Sequence, residues 1–221
     1  MLLVATTNTG KLREIRDILA GVDVDLRSLA DVGPVEEPEE HGATFEENAR
    51  DKARYYARAT RLLVVAEDSG LQIDALDGAP GIHSARFAGD TYADKFANIF
   101  AMLDARGQQT STARFVCALA LVNGDDLLFE AKGTVEGQIT RQPRGAHGFG
   151  YDPIFYYPPF GKTLAEVSAG DKARVSHRGR AFAQLRDFLA RGGLQARASA
   201  RRGARPVPAG ARSCKSRREA T

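Results

Sequence analysis

The chain has 221 residues, 43% of them hydrophobic and 27% charged, enough for a substantial core in one domain or two tight lobes. Two distant cysteines, Cys117 and Cys214, exclude a disulfide framework and a C-x-x-C metal site, and no apolar run approaches the ~20 residues of a membrane span. The net charge of +3 is uneven: residues 194–221 hold seven Arg and one Lys against one Glu (+7), while the other 193 residues carry 23 basic and 27 acidic side chains (−4).

In chain order, residues 2–5 form a short buried strand, with no basic flank or cleavage-like site and hence no expected signal peptide. Leu12, Ile15 and Leu19 share one helical face, which predicts a helix over 10–19. A strand over 24–29 and an acidic loop over 31–41 follow. Thr44, with Glu47 at the capping-box distance, opens a helix to about Thr60. The next buried strand is 62–66, and a helix over 91–105 precedes strands over 113–122 and 127–136 joined by a turn at Asn123-Gly124. Residues 141–159 read as loop, and the last helix spans 177–190 before Gly192-Gly193. This is an α/β pattern with a mixed sheet. The tail over 194–221 lacks an apolar face and reads as a basic, disordered extension capable of weak, non-specific nucleic-acid contact. Cysteine usage points to a reducing, cytoplasmic setting.

Four segments carry chemistry. In Ala5-Thr6-Thr7-Asn8-Thr9-Gly10-Lys11 a strand runs through small polar residues into a helix start. That aims backbone N–H groups and the helix dipole at an anion, and Lys11 adds a point charge, although the Walker spacing is absent. The second segment is acidic. Glu36, Glu37, Glu39 and Glu40 precede Gly42, then Glu46, Glu47, Asn48 and Lys52 follow on a helix. The strand over 62–66 delivers Glu67, Asp68 and Ser69 at its carboxyl end, where α/β sheets place their ligands. Oxygen donors without a Cys/His cluster match Mg²⁺, with Mn²⁺ as second choice. Most of the loop glutamates read as solvated surface; Asp68, between a buried strand and a Ser-Gly turn, does not. In the third segment, 145–153, glycines allow close approach to a flat ligand and Phe149 or Tyr151 offers an aromatic face. The fourth joins Gly170-Asp171-Lys172 to Ser176-His177-Arg178-Gly179 at a helix start, a set of donors for phosphates or base edges.

Five motifs in register, ATTNTGK, ENARDKA, AEDSGLQIDALDGAPGIHSARFAG, GFGYDPIF and SHRGRAF, resemble the inosine triphosphate pyrophosphatases, which remove the non-standard purine nucleotides ITP, dITP and XTP. The resemblance covers about residues 2–189 and stops before the tail. It implies an elongated mixed sheet with flanking helices, two lobes around a nucleotide cleft, and a homodimer. It would give the phosphates to Thr6, Thr7, Asn8, Thr9, Gly10, Lys11 and Lys52. Glu40 and Asp68 would hold Mg²⁺ with Glu67 beside them, Glu39 and Glu37 being the alternatives to Glu40. Asp68 would activate water. Phe149 would stack on the purine, with Ser69, Gly150, Tyr151, Asp152, Lys172, His177 and Arg178 around its edge and sugar. The competing readings are a broader pyrophosphatase for other modified or pyrimidine nucleotides, a nucleic-acid binder acting through the tail, and a nucleotide sensor without turnover.

Overall fold

A fully apolar run and two amphipathic helices build the first half of the molecule. Strand β1 (Leu2–Val4) is buried at every residue and leads to helix α1 (Thr9–Ile18), which turns Ile15 and Ile18 inward. Strand β2 (Leu26–Ser28) follows, then helix α2 (Phe45–Thr60). Thr44 accepts from the Glu47 amide as expected, while the Glu47 carboxylate accepts from Ala43 N–H, one residue before the strict capping-box position.

Strand β3 (Leu63–Ile73) departs from the sequence expectation, which ended it at Ala66. All eleven of its residues pair antiparallel with β4 (Thr112–Asn123), so the polar stretch Glu67-Asp68-Ser69-Gly70 lies mid-strand. Helix α3 (Tyr92–Ala105) is capped by Thr91 and Asp94. Strands β4 and β5 (Asp126–Ile139) form the expected hairpin, with Gly124 at φ 61° in the turn. The stretch expected as loop ends in strand β6 (Phe155–Tyr157), and β7 (Lys162–Thr163) pairs with it. A short helix not foreseen from sequence, α4 (Ala169–Val175), precedes α5 (His177–Ala190). A methyl group on Gly179 would collide with the Ala173 carbonyl, so glycine there is what lets α4 fold back on α5.

The seven strands run in the order β2-β1-β3-β4-β5-β6-β7. β1 is parallel to both neighbours and every later pairing is antiparallel. The chain leaves β1 for one edge and crosses back to β3. At such a reversal an α/β sheet opens a crevice beyond the carboxyl ends of its strands. One lobe is three-layered. Leu2, Val4, Val65, Cys117, Leu119 and Leu121 face α1 and α5, and Leu3, Val64, Ala66, Val116, Ala118 and Ala120 face α2. The other lobe packs Leu71, Ile73, Phe115, Val135 and Ile139 against α3 and the β6 region.

The structure, a computed structural model, describes residues 1–195. Of the predicted tail, Leu194 packs against the core beside α5, and the expectation for residues 196–221 lies outside the described residues. No helix among the described residues is long and apolar enough to cross a membrane.

Candidate active site

The crevice beyond β1 is lined first by the loop 6–11. Asn8 caps α1, its Oδ1 accepting from the Lys11 amide at 3.0 Å, and its own N–H donates to Thr6 Oγ1 at 3.2 Å. Thr7, Asn8 and Thr9 are exposed. The helix thus presents its N-terminus to the crevice, a natural seat for a phosphate. A methyl group on Gly10 would come within 2.9 Å of Phe149 Cδ1, so the loop and the aromatic ring from the other lobe are in direct contact.

β1 pairs with only the first three residues of β3, so the next residues of β3 lie open toward this loop. Successive strand residues point to opposite faces of a sheet. Glu67, opposite Leu119, therefore joins the face of α1 and α5, and Asp68, opposite Ala118, joins the face of α2. The contacts follow this division. Glu67 is ion-paired with Lys11 Nζ at 2.7 Å and Arg178 Nη2 at 3.4 Å, and accepts from the Cys117 thiol at 3.3 Å. Burial alone would push its pKa up, but Arg178 and Lys11 outweigh that and hold it well below the usual carboxylate range. Asp68 Oδ2 accepts from Asn48 Nδ2 on α2, and Oδ1 from the Ser69 amide, each at 2.9 Å. Burial raises Asp68 to about 6, with Asn48 and Lys52 opposing and Glu40 and Glu67 adding to the rise.

On the α5 face, a pocket lies between the two lobes. Ser69, Gly70, Ser84, Phe115, Phe149, Gly150, Tyr151, Asp152, Lys172, His177 and Arg178 are among its lining residues. Phe149 is flanked by Lys172 Nζ at 4.8 Å from its ring centre and the Arg178 guanidinium at 5.6 Å. Arg178 is 1% exposed, and its Nη2 also donates to Ser69 Oγ at 3.0 Å. His177 stacks on Phe115 at 4.8 Å, and burial together with Arg178 holds it well below its ordinary pKa, hence neutral. Among the described residues its Nδ1 and Arg178 Nε are buried without a hydrogen-bond partner, and in a native structure each such atom calls for an explanation. The Tyr151 hydroxyl donates to the Ser84 carbonyl and the Tyr151 ring meets Tyr92 edge to face.

Sequence reasoning missed Glu14. From α1 its two carboxylate oxygens reach Lys172 Nζ at 2.8 Å and Arg178 Nη1 at 2.7 Å, while Lys172 also meets Asp152 at 2.6 Å. Glu14 thus completes a buried chain of alternating charge, Lys11–Glu67–Arg178–Glu14–Lys172–Asp152. It joins the loop 6–11 to the pocket between the lobes. Asn48, noted in sequence only as a helix residue, is the second omission.

Among the described residues no three His, Cys, Asp or Glu side chains stand together as a metal cage. Mg²⁺ does not need one, being commonly held by one or two carboxylates with substrate phosphates completing its shell. Asp68 and Glu40, which both act on Lys52, form an oxygen donor set of that kind. Glu67 does not fit the expected metal role, because the pleat turns it to the other face and two cations occupy it.

All of these residues fall within 2–188, the span matched by the family model described as the Ham1 family. The dITP/XTP pyrophosphatase of Syntrophobacter fumaroxidans is 50% identical over 191 residues, covering 85% of this chain and 82% of that protein. The Bacillus anthracis protein of the same name is 46% identical over 192 residues, covering 85% and 95%. Among solved structures, a HAM1 protein from Coxiella burnetii superposes with a TM-score of 0.80 at 38% identity, over 86% of this chain and 98% of that one. A nucleoside-triphosphatase / dITP/XTP pyrophosphatase from Mycobacterium abscessus gives 0.66 at 43% identity, over 83% and 97%. With the loop 6–11, Asp68 and the pocket between the lobes all inside the matched span, the chain belongs to the Ham1 family.

Proposed function

We propose that the protein hydrolyses the α–β phosphoanhydride bond of ITP, dITP and XTP, releasing the monophosphate and pyrophosphate and so keeping deaminated purines out of nucleic acid. The observation that carries this reading is Asp68. It is a buried carboxylate held at both oxygens by Asn48 and the Ser69 amide, raised to about 6, and next in β3 to Ser69, which lines the aromatic pocket. Near pH 7 such a group is largely ionised yet basic enough to take a proton from water. The loop 6–11, Lys11 and Lys52 hold the phosphates, and positioning with charge neutralisation does most of the work in phosphoryl transfer. Asp68 and Glu40 would hold Mg²⁺, which would supply charge stabilisation at the phosphate oxygens. Glu67 keeps Lys11 and Arg178 in place as their counter-ion.

Phe149 stacks on the base, while Lys172 and Arg178, fixed by Glu14 and their other acidic partners, present donors to its edge. ITP and XTP offer a 6-oxo acceptor there, whereas ATP brings a 6-amino donor. A hydrogen-bonding site left unpaired in this way discriminates by up to ~10⁴-fold. The family resemblance supports the remaining parts of the proposal, a homodimer working in the cytoplasm. The deciding experiment measures pyrophosphate release from ITP, dITP, XTP, GTP, ATP and a pyrimidine triphosphate with Mg²⁺. The first three are expected to lead by orders of magnitude, and comparable rates across the set would favour the broader pyrophosphatase instead.

A further inference from the structure

Glu40 joins two cations from two different elements. One of its oxygens pairs with Lys52 of α2, and the other accepts from Arg86 Nη2 at 2.9 Å. Arg86 ends the short 3-10 turn Gly81–Arg86, which packs beside β3 with Ile82 against the α2-side core and Ser84 on the pocket between the lobes. The backbone of this turn is pinned. Ser84 Oγ accepts from the Leu71 amide at 2.9 Å and donates to the Gly81 carbonyl at 2.6 Å, and the Ala85 carbonyl accepts from Lys95 Nζ at 2.6 Å. The Arg86 side chain, by contrast, is 59% exposed, and among the described residues Glu40 is its one charged partner.

Ser84 and Ala85, just before Arg86, line the base pocket, while Glu40 and Lys52 act on Asp68. A rigidly mounted backbone therefore holds a loosely tethered guanidinium at the rim, between the place of the base and the place of the chemistry. The planar fork of arginine matches phosphate oxygens two at a time, and an exposed ion pair such as Arg86–Glu40 is weak enough to be exchanged for one. Resting on the function proposed above, we infer that Arg86 is a further substrate-binding residue, screened by Glu40 in the free protein and transferred to the β- and γ-phosphates when a triphosphate enters. Glu40, relieved of Arg86, then has an oxygen free.

Calorimetric binding of an α,β-imido analogue of ITP and of IMP, both with Mg²⁺ since the imido bridge resists cleavage, tests this with wild-type protein, Arg86→Gln and Arg86→Lys. IMP lacks the two phosphates that Arg86 is assigned. Arg86→Gln is expected to weaken the analogue at least about tenfold, the scale of one charge-assisted contact, and Arg86→Lys less. IMP affinity and melting temperature should stay at the wild-type level. If Arg86→Gln binds the analogue as wild type does, Arg86 only clamps Glu40 and the assignment falls. An equal loss for both nucleotides also overturns it, since that would mark a general disturbance of the pocket wall. Wild-type protein that bound neither would sink the proposed function itself.

Discussion

Replacing Glu14 by Gln tests whether the buried charge chain sets the base pocket. The carboxylate accepts from Arg178 at 2.7 Å and from Lys172 at 2.8 Å, with its side chain only 18% exposed. Each such charge-assisted bond contributes about 1.5–3 kcal/mol. The amide of Gln keeps one acceptor, so one bond and the attraction of the negative charge are lost. Arg178 retains Glu67 and Ser69, and Lys172 retains Asp152, so neither cation is stranded. The full penalty of an unpaired buried charge, about 3–5 kcal/mol, is therefore not reached. The expected loss is about 2–3 kcal/mol, which at about 2–4 °C per kcal/mol for a chain of this size lowers the Tm by roughly 4–12 °C. Lys172 and Arg178 also lose their common anchor, so kcat/KM for ITP should fall about tenfold, with the ITP/ATP ratio shrinking. Thermal melting and steady-state kinetics on both substrates measure the two effects. A variant that melts and discriminates like wild type would show that Asp152 and Glu67 suffice, and that Glu14 is incidental.

Asp68→Asn removes the proton acceptor and should cut turnover at least ~10²-fold with the fold intact, as near-UV circular dichroism would report; near-normal ITP hydrolysis would remove Asp68 from the mechanism. Phe149→Ala should weaken nucleotide binding by about 1–3 kcal/mol, the range for base stacking, and raise KM for ITP while leaving inorganic pyrophosphate binding alone. Loss of solubility instead would mean that the ring serves mainly the contact between Gly10 and the second lobe. Glu67 supplies a pH test. Its folded pKa lies well below the ordinary value because Arg178 and Lys11 outweigh its burial. Its stabilisation is thus present above the unfolded value of about 4.3 and is lost as pH falls through the folded one. The Tm gap between wild type and Glu67→Gln should narrow on acidification, and a gap constant with pH would contradict the pairing.

Local signals carried much of the architecture. Thr44 with Glu47, the Asn123-Gly124 turn and the apolar spacing of Leu12 and Ile15 each act over a few residues, and each element stands where those cues put it. β3 was cut short because Glu67-Asp68-Ser69 reads as the polar end of a strand. Its burial depends on partners from α1, α2 and α5 that no local window contains. Glu14 was illegible for the same reason: it reads as a solvated helix position, and the residues that bury it lie 158 and 164 positions later. Ser168 and Asp171, by contrast, did announce α4 by capping spacing, and that signal was there to be used. At the site, Phe149, Lys172 and Arg178 line one pocket and Asp68 stands on the other face of β3; a motif lists neighbours in sequence and is silent on pleat. The motif alone therefore implies one metal for Glu67 and Asp68, while the pleat sets them on opposite faces of β3.

The alternation of β3 has an evolutionary corollary. On the proposed function, the face of Glu67 and Ser69, which hold Arg178, serves the base pocket, with Glu67 also anchoring Lys11, and the face of Asp68 serves hydrolysis. Substitutions can therefore retune which purine is accepted without touching the hydrolytic face, and the reverse. A one-residue insertion ahead of Glu67 is different in kind, because it turns every following side chain through the sheet. It would exchange the two tasks at a stroke, putting a carboxylate meant for water among the arginine and lysine of the base pocket. Specificity in this fold is free to drift by substitution, while the length of β3 up to Ser69 is not.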